Sequence, residues 1–375
     1  WWDRMRGEEF LTVKLYDTLR DHTPVALFPR EIDYTEWQTL RRYPILNWNM
    51  GMTYRLRERD ERVYPQGELA RRTIGQVGDK GNYGVEYVLR DVLEGRDGKA
   101  RRQRIARGFY GRVVGGDNSE PEDGLDVVTT LDLEMQDVAD RALRRQLEAQ
   151  NALWGTALVM EVATGDLLAM ANLSRTKSGA YAEVKNHALS SRMEPGSTFK
   201  LAALLALVDD AGMSLDETFD TGNGARVKVG RTTVQDSHGL PPLNLKDAVA
   251  HSSNVFFARA VYETYKDDPE RYVDYLRHLH LDRTVGLEEF GAVAPIFPAP
   301  GMKIWYPDVS IVNMGYGYAI ELTPLHTLTL YNAVANDGCM VAPRLVREIR
   351  RGGEVVERPE RRVLVDKICS SSALR

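Results

Sequence analysis

The sequence predicts an α+β fold, on three observations. GLDVVTTLD, from Gly124, reads as a strand by its β-branched content. LEMQDVADRALRRQLEAQ carries apolar residues at helical spacing, and GTALVMEVATGDLLAMANL is two apolar runs joined by Ala-Thr-Gly, the signature of a hairpin. Strand, helix and hairpin in that order point to an antiparallel sheet with helices packed on it rather than to a doubly wound parallel sheet. At 375 residues the chain exceeds one ordinary domain, so two are expected.

Residues 1–122 are charge-dense and broken by glycine, as in VGDKGNYGVEYVLRDVLEGRDGKARRQRIARG. Short extended runs such as GRVV alternate there with turns, and no long amphipathic helix dominates. This stretch reads as a mixed, non-catalytic module whose arginine-rich stretches, 41–72 and 101–107, are solvated faces. Residues 123–375 form the second domain. Asp132 is placed to cap the helix that starts at Leu133. A polar connection, SRTKSGAYAEVKNHALSSRM, leads to EPGSTFKLAALLALV, whose apolar residues on every side predict a buried helix. LNLKDAVAHSSNVFFARAVYETY reads as two helices meeting at Ser252-Ser253-Asn254, and ELTPLHTLTLYNAVANDG as a helix ending at Gly338. There is no internal repeat.

Composition narrows the function. Hydrophobic residues at 43% and charged residues at 27% are ordinary for a globular protein. A net charge of -5 and a pI near 5.9 exert no overall pull toward nucleic acid. Cys339 and Cys369 have no second pair or histidine at ligand spacing, so free thiols are expected, with neither zinc site nor disulfide framework and no cofactor. No apolar run approaches the ~18 residues of a membrane span. WWDRMRGEEF lacks a charged-then-apolar signal region, so an export or anchor segment is expected upstream of Trp1.

Ser197 and Lys200 carry the candidate chemistry. Ser-x-x-Lys alone is weak, since two common residues at fixed spacing recur by chance about once in such a chain; Ser174 and Lys177 match it too. Only the 197/200 pair is followed by a helix that holds both side chains on one face, where Lys200 reaches back to the Ser197 hydroxyl. Pro195 and Gly196 suit a first turn, near whose N–H groups an oxyanion is stabilised. A lysine with its usual pKa of ~10.4 is a poor base at neutral pH, and burial or a second cation makes it competent. Ser252 can relay a proton to a leaving amine, and the Asn254 amide can bind the lysine or a substrate carbonyl. Asp236-Ser237-His238 holds the residue types of a serine–histidine–aspartate relay, but consecutive residues cannot converge as that relay requires, so a turn is expected.

EPGSTFK followed by HSSN resembles the active-site pair of the penicillin-binding proteins, the peptidoglycan D,D-transpeptidases that share Ser-x-x-Lys, Ser-x-Asn and Lys-Thr-Gly with serine β-lactamases. DGLDVVTTLDLEMQDVADRAL, VMEVATGDLLAMAN, MEPGSTFKLAALLALVDD and MGYGYAIELTPLHTLTLYNAVANDGCMVAPRLV resemble class B blocks in order, closer to the division-specific type; YPQGELARRTIGQVGDKGNYGVEYVLRDVLEGRDG resembles the amino-terminal pedestal of that class. The resemblance implies a transpeptidase domain with helices on both sides of an antiparallel sheet, Ser197 as acylated nucleophile, Lys200 as its base, Ser252 as proton relay and Asn254 as substrate-orienting amide. It implies stem peptides ending in D-Ala-D-Ala as substrates, β-lactams as acylating ligands, a glycan polymerase and other division proteins as partners, and the periplasmic face of an inner membrane. No Lys-Thr-Gly or Lys-Ser-Gly follows Asn254, and Lys177-Ser178-Gly179 precedes the nucleophile in a polar loop, so the third motif is expected beyond Arg375. A β-lactamase or β-lactam sensor on the same fold, and a non-catalytic divisome scaffold, are the alternatives.

Overall fold

The computed structural model describes residues 63–78, 81–99 and 122–375, the single residues Glu36, Thr39, Arg42 and Ser119, and the backbone of five strands at 10–16, 24–26, 52–57, 102–106 and 109–112. The chain divides into two compact units, Trp1–Gly67 and Glu68–Arg375. In the first, β1 (Phe10–Tyr16) lies between β2 (Pro24–Ala26) and β3 (Met52–Arg57), antiparallel to both. The side chains of the arginine-rich stretches at 41–72 and 101–107 lie largely outside the described residues, as do the two valines of GRVV.

The second unit opens with short helices at Arg71–Ile74, Gly84–Val88 and Arg90–Leu93 and the hairpin β4 (Arg102–Ala106)–β5 (Phe109–Arg112). The composition change expected near Glu122 falls inside this unit, where Leu125 N donates to Val92 O at 2.9 Å. GLDVVTTLD supplies β6 (Asp126–Thr129), and the 133–150 helix (Leu133–Gln150) follows, with the Asp132 carboxylate accepting from Met135 N as its cap.

The expected hairpin is β7 (Trp154–Met160) and β8 (Leu167–Arg175), antiparallel through Ala-Thr-Gly. β8 also pairs with β9 (Tyr181–Ala182), and among the described residues β7 is an outer strand of this sheet. Alternation along β8 sorts its side chains, since neighbouring residues point to opposite faces. Ala169 and Ala171 pack on Ala139 and Leu143 of the 133–150 helix. Met170 packs instead with Ala188 and Leu189 of the 187–190 helix and Leu325 of the helix Pro324–Ala335. Helices therefore cover both faces of the sheet.

Short pairs β10 (Thr218–Phe219) with β13 (Leu243–Asn244), and β11 (Val227–Val229) with β12 (Thr232–Val234), form a helical lobe with the helices Leu245–Ala250, Asn254–Tyr265 and Pro269–His278. The 254–265 helix runs through its core: Val255, Phe256, Phe257, Ala258, Ala260, Val261 and Tyr265 are all fully buried, and Arg259 and Glu263 pair on its outer face. Near the end of the chain β14 (Met340–Val341) pairs with β17 (Val363–Val365), and β15 (Val346–Arg351) lies between β16 (Glu354–Glu357) and β6.

Candidate active site

The apolar run after Ser197 is helical and buried, but it is not one α-helix. A 3₁₀ turn, Gly196–Phe199, leads into an α-helix, Lys200–Leu205, and then a π-turn, Ala206–Asp210. The 3₁₀ entry matters because residues i and i+3 eclipse in that geometry. Lys200 N donates to Ser197 O, and Lys200 Nζ lies 3.2 Å from Ser197 Oγ. Gly196 begins the turn at φ 55°, a left-handed conformation that glycine adopts without strain.

Ser252, Ser253 and Asn254 stand where the two predicted helices meet. The 245–250 helix ends there with Ser253 N bonded to Ala248 O at 3.0 Å, and Ser252 takes φ 51°. Helix ends commonly place glycine in that conformation, and a serine there is strained. The strained turn aims both the carbonyl and the hydroxyl of Ser252 at the lysine.

Lys200 is buried, and its Nζ has four oxygen neighbours: Ser197 Oγ at 3.2 Å, Ser252 O at 2.5 Å, Ser252 Oγ at 3.0 Å and Asn254 Oδ1 at 2.8 Å. Two of these, the Ser252 carbonyl and the Asn254 amide oxygen, can only accept. A neutral amine has just two N–H groups to satisfy them. In that form its single lone pair can accept from one of the two hydroxyls, whereas in the ammonium form Nζ donates to them. Burial lowers the Lys200 pKa to about 8, opposed by the negative charge of Asp236. The Phe257 ring lies 5.7 Å from Nζ. All four residues singled out in the sequence thus meet at one amine.

Asp236 is the residue that sequence reasoning missed. The chain bends at Ser237 and His238, and Asp236, Ser237 and His238 form no relay: Ser237 Oγ contacts His238 Nδ1 at 3.0 Å, while the Asp236 carboxylate turns inward. There it accepts from Ser253 Oγ at 2.7 Å, Asn254 N at 2.5 Å and Val255 N at 3.1 Å. A buried carboxylate at the positive end of the 254–265 helix is well placed electrostatically. It pins the Ser252–Asn254 turn. Only long-range pairing brings β12 to that helix, so no local pattern could have revealed it.

Ser174 and Lys177 do not reproduce the site. Ser174 Oγ contacts His187 Nε2 at 2.7 Å, and Lys177 lies in the exposed turn 176–179. The His187 ring stacks on Trp154 with centroids 4.1 Å apart. Among the described residues no group of three or more histidine, cysteine, aspartate or glutamate side chains could hold a metal ion.

A family profile described as the penicillin binding protein transpeptidase domain matches residues 155–374. The chain is 30% identical over 305 residues to the penicillin-binding protein PbpB of Mycobacterium tuberculosis, covering 77% of this chain and 43% of that protein. It is 27% identical over 292 residues to the probable peptidoglycan D,D-transpeptidase PenA of Neisseria meningitidis, covering 75% of this chain and 48% of that protein. The chain thus spans about half the length of these relatives. Among solved structures it is similar to penicillin binding protein 3 of M. tuberculosis in complex with aztreonam, with a TM-score of 0.68 and 25% identity over 86% of this chain and 67% of that chain. It shares the fold of penicillin binding protein 2X of Streptococcus thermophilus, with a TM-score of 0.74 and 20% identity over 96% of this chain and 54% of that chain.

Proposed function

The chain belongs to the penicillin-binding protein transpeptidase family, and from that premise we propose that it is the acyl-transfer part of a class B peptidoglycan D,D-transpeptidase, of the division-specific type. The observation that carries the reading is the convergence of Ser197 Oγ, Ser252 O and Oγ, and Asn254 Oδ1 within 3.2 Å of the buried Lys200 Nζ.

In this reading Ser197 Oγ attacks the carbonyl carbon of the penultimate D-Ala of a stem peptide while Lys200 Nζ takes its proton. The tetrahedral intermediate collapses. The C–N bond to the terminal D-Ala breaks, the proton passes from Lys200 through Ser252 Oγ to that nitrogen, and an ester on Ser197 remains. An amine of a second stem peptide then attacks the ester, its proton returns along the same path, and a cross-link forms as Ser197 is released. A β-lactam follows the first half, its ring C–N bond opening in place of the peptide's. Asn254 holds Lys200 in register and Asp236 holds Asn254.

The same reading takes residues 1–122 as a non-catalytic pedestal or dimerisation-type module, a glycan polymerase and other division proteins as partners, and the periplasmic side of an inner membrane as the place of action. Among the described residues no helix is long and apolar enough to cross a membrane. The test is covalent labelling of the full-length protein with a fluorescent penicillin. The expected result is one adduct, mapped to Ser197 by peptide mass spectrometry and absent in Ser197→Ala. A full-length protein that stays unlabelled while a known homologue labels in parallel overturns the reading.

A further inference from the structure

The segment that carries Ser197 is fastened to a single stretch of chain, residues 317–331. Met193 and Leu322 exchange both backbone hydrogen bonds at 2.9 Å. Gly196 N donates to Gly317 O at 2.9 Å, and Tyr331 Oη donates to Thr198 O at 3.0 Å. Between these sits a contact made by a side chain: Ala319 N donates to Glu194 Oε1 at 2.9 Å. Ala319 is at φ 64°, strained for a residue with a Cβ. Gly317 is at φ 91°, and a Cβ on it would lie 1.8 Å from Gly196 O. The two strands of this zipper are therefore pressed together at the residue before the nucleophile.

We propose that Glu194 is a positioning residue for Ser197: by holding the Ala319 N–H it keeps the 317–319 turn in its left-handed form, and that turn, through the Gly317 carbonyl, sets the place of Gly196 and hence of Ser197 Oγ. The inference rests on Ser197 being the nucleophile. Three of the four attachments use backbone groups or lie beyond Ser197. Glu194 alone supplies a side-chain acceptor in the turn that meets Gly196, and its carboxylate is exposed, so it adds little to the core. Its loss loosens the aim of Ser197 toward a bound carbonyl and leaves Lys200, Ser252 and Asn254 in place. Displacement of a reacting atom by about 1 Å is enough to slow an oriented reaction by about 100-fold.

The test compares full-length wild type with Glu194→Ala, Glu194→Gln and Gly317→Ala. The glutamine keeps an acceptor oxygen at the same reach and removes the charge. Two readouts are used: hydrogen exchange of the Ala319 and Gly196 amides, and penicillin acylation resolved into a pre-covalent dissociation constant and a first-order acylation rate. In Glu194→Ala the Ala319 and Gly196 amides are expected to lose protection and the acylation rate to fall about 10- to 100-fold, with the dissociation constant within a factor of about three. Glu194→Gln is expected to restore both, and Gly317→Ala to slow acylation with Glu194 intact. An unchanged rate in Glu194→Ala despite lost protection overturns the proposal, as does a Glu194→Gln protein as slow as the alanine variant. If wild type takes no penicillin, the transpeptidase reading fails. Exchange at Ala319 and Gly196 then still decides whether Glu194 holds the turn, and unchanged protection in Glu194→Ala rejects the proposal by itself.

Discussion

At Lys200 the protonation balance follows from burial. Burial disfavours the ammonium, so its pKa falls from 10.5 to about 8, and in the proposed reaction the neutral amine that serves as base predominates only above that value. The acylation rate is therefore expected to rise about tenfold per pH unit up to about pH 8 and then level off, as measured by penicillin labelling across pH. A flat profile from pH 6 to 9 excludes Lys200 as the base. Lys200→Arg, which stays charged throughout this range, should slow labelling by at least about 100-fold. Asp236 pulls the same pKa upward, so Asp236→Asn should move the acid limb to lower pH even as the loosened turn lowers the plateau rate. Ser252 offers a second check through its strained backbone at φ 51°. Ser252→Gly relieves roughly 1 kcal/mol of strain and deletes the hydroxyl. Denaturant unfolding should show a variant no less stable than wild type, and labelling should show a much slower one.

Among the elements, β8 has buried backbone N–H groups along the part of its edge not covered by β9, and side chains bond them. Gln136 Oε1 caps Met170 N at 2.7 Å, and Glu183 takes both Asn172 N at 3.3 Å and Arg72 N at 2.8 Å. Burial raises the Glu183 pKa from 4.5 to about 7 despite those two hydrogen bonds. A carboxyl that holds its proton more tightly folded than unfolded favours the folded state most at low pH, and that advantage is lost as pH rises from about 4.5 to about 7. Denaturant unfolding at pH 5 and pH 8 should show wild type losing up to about 3 kcal/mol from this group, and Glu183→Gln should remove that part of the dependence. At the 133–150 helix the Asp132 cap is worth about 1 kcal/mol, a loss to be read from the denaturation midpoint of Asp132→Ala. This cap was legible from one residue and its neighbours. The division of the 196–210 helical run into 3₁₀, α and π segments was not, because the left-handed Gly196 that starts it is set by the approach of Gly317.

Across the whole molecule, legibility followed the range of the interactions. Strand, helix and hairpin from Gly124 onward, and the two helices meeting at Ser252–Asn254, are written in local periodicity and caps, and they stand where the pattern placed them. That Ser197, Lys200, Ser252 and Asn254 converge came from motif resemblance, since spacing alone fits Ser174 and Lys177 equally well. Asp236 and Glu194 went unread because their partners lie 17 to 19 and 125 positions away. The outer strand β7 has a consequence of another kind. Among the described residues it is hydrogen-bonded only to β8, Leu153 just before it is 74% exposed, and Val159 and Val162 at its far end are 37% and 40% exposed. Such an edge is a template for pairing with another chain. A strand from outside these 375 residues, or one from a second copy, can pair there; the 375-residue polypeptide at high concentration should drift toward larger particles in sedimentation velocity, and Val159→Lys, a charge placed on the rim of the sheet, should slow that drift.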